Sequence, residues 1–151
     1  MNKHAENYFS QVIKIAELID KKEIDKMVSS LSALRNLEGR LFLLGVGGSA
    51  ANASHAVNDF RKLCGIEAYS PMDNVSELTA RINDDGWEGS LAGWLKGSKL
   101  KENDAIFILS VGGGNIENQV SINLVQAIDI AREKKAKVFG IVGRDLSLIH
   151  I

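Results

Sequence analysis

The chain has 151 residues, 45% apolar and 25% charged, with a formal net charge of −1. Such a composition suits one globular domain that buries roughly 68–70% of its unfolded surface, and it gives no reason to expect a nucleic acid or an anionic membrane as partner. The single cysteine, Cys64, excludes an internal disulfide, no apolar stretch reaches the ~18 residues of a membrane span, and the first residues, with Glu6 early, lack the apolar run of a signal peptide. A cytoplasmic protein is the expectation.

Residues 4–20 carry Ala5, Tyr8, Phe9, Val12, Ile13, Ala16 and Ile19 at helical intervals, widened by Ile15 and Leu18. Residues 22–37 repeat the pattern with Ile24, Met27, Val28, Leu31 and Leu34. Two helices therefore precede the first strand, and one has more apolar surface than a single sheet face needs. The excess predicts packing against another subunit. A helix hairpin hidden within the chain is the alternative.

Leu41 to Leu44 is an unbroken apolar run, short enough for a buried strand. It turns through Gly45, Gly47 and Gly48, and from Ser49 a helix is predicted by Ala53, Ala56, Val57, Phe60, Leu63 and Cys64. Cys64, on that stripe, reads as a small core residue. Strand, glycine turn and helix is how open α/β sheets present backbone N–H groups to an anion. No Asp, Glu, Lys or Arg lies between Gly45 and Asn58, although helices ordinarily welcome acids in their first turn. Ser49 is the expected N-cap. His55 and Asp59, four residues apart, share a helix face and could hold a divalent metal from one side; a solvated helical pair is the plainer reading of the same spacing.

Gly65 to Ser70 is a candidate second strand ahead of Pro71. Asp73 to Asp84 reads as a short helix with Asp73 or Asn74 as N-cap and Glu77 placed for a capping box, ending in the polar turn Asn83-Asp84-Asp85-Gly86. Trp87, Leu91, Trp94 and Leu95 outline another short amphipathic helix, its aromatics serving as packing anchors. Asp104 to Ser110 is a second buried strand. It runs into Val111-Gly112-Gly113-Gly114-Asn115, again without charge. The next helix places Val120, Leu124, Ala127, Ile128 and Ala131 on one face and ends near Arg132, Lys134 and Lys135. A third clear strand, Ala136 to Val142, precedes Gly143-Arg144-Asp145. Two strand–glycine loop–helix units at the carboxyl edge of one parallel sheet would converge on a single crevice.

The stretch Gly45-Val-Gly-Gly-Ser-Ala-Ala-Asn-Ala-Ser-His-Ala-Val-Asn-Asp59 resembles the first phosphosugar loop of the sugar isomerase (SIS) domain family, in its phosphoheptose isomerase branch. The family usually has Asn in place of Val46 and Glu in place of Asp59. Its second loop is rich in Ser and Thr; this chain keeps Ser110, substitutes glycines and adds Ile116 to Ser121. The resemblance implies a doubly wound, three-layer α/β sandwich of flavodoxin or Rossmann-like type with a mainly parallel sheet. It divides the single domain into oligomerisation helices at 1–38, a core at 39–145 and an atypical tail at 146–151. After Asp145 the match stops, which reads as a truncation before the family's Gln- and His-bearing continuation; His150 is not equated with that histidine.

By resemblance, Val46, Gly47, Gly48, Ser49, Ser110, Val111, Gly112, Gly113, Gly114 and Asn115 bind a phosphorylated sugar, and Asn83 and Asp84 contact its chain. Asp59 is implied as the base, His55 and Asp59 as zinc ligands, and the assembly as a homotetramer. The implied reaction converts sedoheptulose 7-phosphate to D-glycero-D-manno-heptose 7-phosphate for surface polysaccharide. A non-catalytic SIS module, binding a phosphosugar or acting as an adaptor of the replication-initiator-associating type, is the alternative. A dinucleotide fold is disfavoured: Gly45-x-Gly47-x-x-Ala50 approximates its fingerprint, but Glu67 begins its strand instead of ending it. No Gly-Lys-Ser/Thr phosphate loop occurs.

Overall fold

The structure, a computed structural model, describes residues 3–143. Arg144, Asp145 and the tail 146–151 with His150 lie outside the described residues. The chain forms two compact units, Met1–Ser32 and Ala33–Ile151. Among the described residues no helix is long and apolar enough to cross a membrane.

The first unit holds α1 (His4–Leu18) and most of α2 (Lys21–Asn36). Between them Asp20 caps the second helix, its Oδ1 accepting the Lys22 N–H at 2.8 Å. No residue of α1 is buried. Its wide apolar face is bare, with Phe9 63% and Ile13 59% exposed. A face of that kind costs free energy in water and calls for a cover.

The second unit is an α/β sandwich. Its four parallel strands, β1 (Leu41–Gly45), β2 (Ala68–Tyr69), β3 (Ala105–Ser110) and β4 (Lys137–Val142), lie in the order β2-β1-β3-β4. Alternation along the strands decides what each face meets. Phe42, Leu44, Ile106 and Ile108 pack with Leu91, Trp94, Leu95, Leu124 and Ile128 in one core cluster. These come from α4 (Val75–Gly97) and α5 (Ile122–Glu133). The opposite face receives α3 (Gly48–Lys62), whose Ala53 and Val57 are buried and whose Phe60 meets Phe107 at 6.3 Å between ring centres. Helices on both faces of a parallel sheet are the doubly wound arrangement expected from the sequence.

At the opposite edge from the glycine loops, Arg40 and Asp104 join the starts of β1 and β3. The guanidinium Nη2 lies 2.7 Å from Oδ2, and the Arg40 N–H donates to Oδ1 at 2.9 Å. Burial pushes the Asp104 carboxyl up, but the Arg40 side chain and the N–H groups of Arg40 and Lys101 outweigh it and hold it below the ordinary carboxylate range.

Several local expectations are corrected. The expected strand at 65–70 shortens to Ala68–Tyr69. Cys64 falls past the end of α3 and is exposed, so it is no core residue. One expectation stands: the run Val75–Gly97 is two helices that meet at the polar turn, broken where Gly86 adopts the non-helical φ 77°, ψ 162°, a conformation that other residues rarely enter. Asn74 caps that run by accepting the Glu77 N–H at 3.2 Å, whereas the Glu77 carboxylate reaches forward to Arg81 at 2.7 Å instead of closing a capping box. Val120 lies before α5, 44% exposed, and does not join the helix's buried face.

Candidate functional site

β1 ends at Gly45, where the strand and α3 come too close for a side chain. A Cβ there would stand 2.4 Å from the Ser49 carbonyl oxygen. Gly47 then turns the chain with φ 61°, ψ −126° and takes the cap position, so Ser49 stands inside the helix and not at its N-cap. The N–H groups of Ser49, Ala50 and Ala51 bond back to Val46 and Gly47. Those of Gly47 and Gly48 have no hydrogen-bond partner among the described residues, both glycines are exposed, and α3 has no acid in its first turn. Free donors and an uncompensated helix dipole make this a seat for an anion.

The second loop leaves β3, the strand paired directly with β1, with Gly45 opposite Leu109. The two loops therefore emerge side by side, about 4.8 Å apart at their roots. They do so where the chain, having placed β2 on one side of β1, crosses to the other. That is the topological switch point at which α/β sheets bind ligands. Ser110 Oγ donates to the Gly113 carbonyl at 3.3 Å, and Gly113 has φ 64°. Asn115 and Val120 exchange both backbone hydrogen bonds at 2.9 Å, closing the added residues into a small hairpin. Asn115 Oδ1 is occupied by the Asn118 N–H at 2.7 Å. Val111 is 74% exposed, so its contribution to the rim is its backbone. A cavity of about 130 Å³ lies against this loop, lined by Gly113, Gly114, Ile116, Leu124 and Val125. Its walls are mostly apolar, with Asp129 and Arg132 among the lining residues.

His55 and Asp59 do meet, with Nε2 and Oδ2 3.3 Å apart, side chains 79% and 45% exposed. They are not near the first loop. Asp59 stands eleven positions beyond Gly48 and His55 seven, about 16 Å and 10 Å along the helix axis at the ordinary rise. Among the described residues no group of three or more His, Cys, Asp or Glu is placed to hold a metal ion. Asn83 and Asp84 are exposed on α4 and bond to each other at 2.9 Å. No hydrogen bond among the described residues ties them to either glycine loop. Sequence reading missed Asn123, which is 1% exposed in the first turn of α5. The signal was available: Asn123 shares the helical stripe of Ala127 and Ile130, where a polar side chain is out of place.

The topology and the paired glycine loops define a doubly wound α/β domain with a candidate ligand seat at its switch point. No protein-family model matches the chain. It is 33% identical over 122 residues to a phosphoheptose isomerase of Laribacter hongkongensis, a match covering 78% of this chain and 58% of that protein. It is 29% identical over 152 residues to a phosphoheptose isomerase of Helicobacter pylori strain Shi470, covering 89% and 74%. The solved structure of a phosphoheptose isomerase from Francisella tularensis has the same fold, with a TM-score of 0.81 at 18% identity, over 100% of this chain and 82% of that one. The chain is thus similar to phosphoheptose isomerases, and it spans little more than half the length of the first of those relatives, 58%.

Proposed function

We propose that the chain is a phosphosugar isomerase interconverting D-sedoheptulose 7-phosphate and D-glycero-D-manno-heptose 7-phosphate through an enediolate, as a cytoplasmic homotetramer. One observation carries the reading: two uncharged glycine loops on adjacent parallel strands, one of them ending in N–H groups without acceptors. They would hold the phosphate while the carbonyl end of the sugar reacts elsewhere. The chemistry needs a base to lift the proton from the carbon beside the carbonyl and return it to the neighbouring carbon, and donors to carry the charge that develops on oxygen. Asp59 is assigned as that base, and Asn83 and Asp84 as contacts to the sugar chain.

The bare face of α1 supports assembly, and assembly bears on the chemistry. The roughly 16 Å from Gly48 to Asp59 along one helix is longer than an extended heptose phosphate spans, so a carboxylate from a second copy completes the site more readily. Zinc is implied by the resemblance of the first loop alone, and the described residues do not fit it. His55 and Asp59 are two donors where a catalytic zinc takes three protein ligands, and no step here is routed through a metal.

The same two facts, the distant carboxylate and the incomplete donor set, favour a second reading: a non-catalytic SIS module that binds a phosphosugar. Incubating the chain with sedoheptulose 7-phosphate in D2O and following it by proton NMR separates the two. An isomerase forms the aldose and exchanges a carbon-bound proton for deuterium, and Asp59→Asn lowers the rate at least about 100-fold. Binding without exchange favours the module, and unchanged turnover in Asp59→Asn removes the base assignment.

A further inference from the structure

The run that carries Asn83 and Asp84 is folded back on itself. Glu77 and Gly97 are twenty positions apart, about 30 Å along an unbroken helix. Yet the Glu77 carboxylate comes within 4.0 Å of the place a Cβ on Gly97 would take. The break at Gly86 therefore reverses the chain, and the halves 75–85 and 87–97 lie antiparallel. They meet through matched rows. Glu77, Arg81 and Asp85 recur at every fourth position on one half, and Gly89, Gly93 and Gly97 do so on the other. A Cβ on Gly97 would stand 2.5 Å from Arg81 Nη2, and one on Gly93 3.1 Å from Arg81 Nη1. The guanidinium of Arg81 thus lies across two glycines. Its Nε and Nη2 donate to Glu77 Oε1 at 2.9 and 2.7 Å, which fixes the side chain in place. Glycine is a poor helix former; here the space it leaves holds a group that spans both halves.

The fold carries the bend to the ligand edge. The half 87–97 places Leu91, Trp94 and Leu95 in the core cluster. It leads to Ser98, whose carbonyl accepts Arg40 Nη1 at 3.0 Å, at the sheet edge away from the glycine loops. A helix that feeds a parallel strand runs back along the sheet. The other end of this half therefore lies about 16 Å away, close to the length of a five-residue strand such as β1, at the edge from which the loops emerge. Asn83 and Asp84 stand exposed at that bend. Resting on the reading of these two as contacts to the sugar chain, we propose that Arg81 is a positioning residue. Its guanidinium, held between Glu77 and the strip of Gly93 and Gly97, sets the angle between the two halves and with it the place where Asn83 and Asp84 meet the sugar. Arg81 acts through that pair and not by a contact of its own.

The test uses the full chain and two ligands read by calorimetry, sedoheptulose 7-phosphate and inorganic phosphate. Arg81→Met removes the guanidinium and keeps the stem. Gly97→Ala keeps Arg81 and sets a methyl against its Nη2. Asn83→Ala reports on the reading beneath. The expected result is sugar phosphate binding weakened at least about fivefold in all three, inorganic phosphate binding within twofold of the unaltered chain, and no further loss when Gly97→Ala is added to Arg81→Met. A role in stability alone would not separate the two ligands. Arg81→Met and Gly97→Ala chains that bind sedoheptulose 7-phosphate within twofold of the unaltered chain overturn the proposal. So does an equal loss of both ligands, or losses that add in the double variant. Should Arg81→Met not fold, Gly97→Ala decides alone. If Asn83→Ala binds the sugar phosphate as the unaltered chain does, or the unaltered chain binds none, the contact reading falls and this one with it; if Asn83→Ala loses affinity and the other two do not, only the role of Arg81 is lost.

Discussion

Gly45→Ala is the sharpest probe of how the first loop is held. The added methyl would stand 2.4 Å from the Ser49 carbonyl oxygen, 2.5 Å from its carbon and 2.9 Å from the Ala50 nitrogen. All three are backbone atoms of the first turn of α3, so no side chain can swing aside. Relief requires the helix to retreat by about 1 Å, opening its contacts with β1, at a cost of about 2–3 kcal/mol for overpacking a tight contact. For a chain of this size that lowers the melting temperature by roughly 5–10 °C. Gly48→Ala is the control. Nothing lies within 4 Å of a Cβ there, and alanine in a helix favours folding by about 0.4–1 kcal/mol over glycine. Its methyl nevertheless stands beside the free amides and should weaken phosphate binding. Calorimetric melting with and without phosphate reads both effects. A Gly45→Ala chain that melts within 1–2 °C of the unaltered protein would show that the strand–helix approach is not what shapes the loop.

Asp104→Ala leaves the Arg40 guanidinium and two backbone N–H groups facing a half-buried void and should cost about 3 kcal/mol in urea unfolding at pH 7. Because the Asp104 carboxyl titrates lower in the folded chain than in the unfolded one, near 3.9, its contribution is complete above that pH and fades as pH falls through the folded value. The variant and the unaltered chain should therefore converge in stability below about pH 4; a gap that persists undiminished at pH 3 contradicts the ion-pair account. Replacing Phe9 and Ile13 of α1 by Glu, at positions 63% and 59% exposed, should reduce the sedimentation coefficient of an assembled protein while leaving the α/β core folded. An unchanged coefficient removes α1 from the interface.

What was legible in the sequence is what depends on short range. The apolar runs at Leu41–Leu44 and Ala105–Leu109 read as buried strands and Val138–Val142 as a strand, which in the structure forms with no residue fully buried, and the glycines between strand and helix marked both loops. The polar cluster at Asn83–Gly86 was legible too: it has the composition of a turn, and Gly86 breaks the helical run there with φ 77°, ψ 162°. What was illegible depends on neighbours. Cys64 fits the helical stripe by count, but α3 stops at Lys62 and the count no longer applies. The burial of Asn123, 1% exposed, depends on what packs against α5, which no window of sequence contains.

The four residues closed off by the Asn115–Val120 bridge hang from the sheet without belonging to its core. Their hydrogen bonds run within the hairpin and to its own side chains, so lengthening, shortening or rewriting them leaves the packing of β1 and β3 alone. Novelty in what is gripped can accumulate there by small steps, while the anchorage beneath stays as stiff as two paired strands.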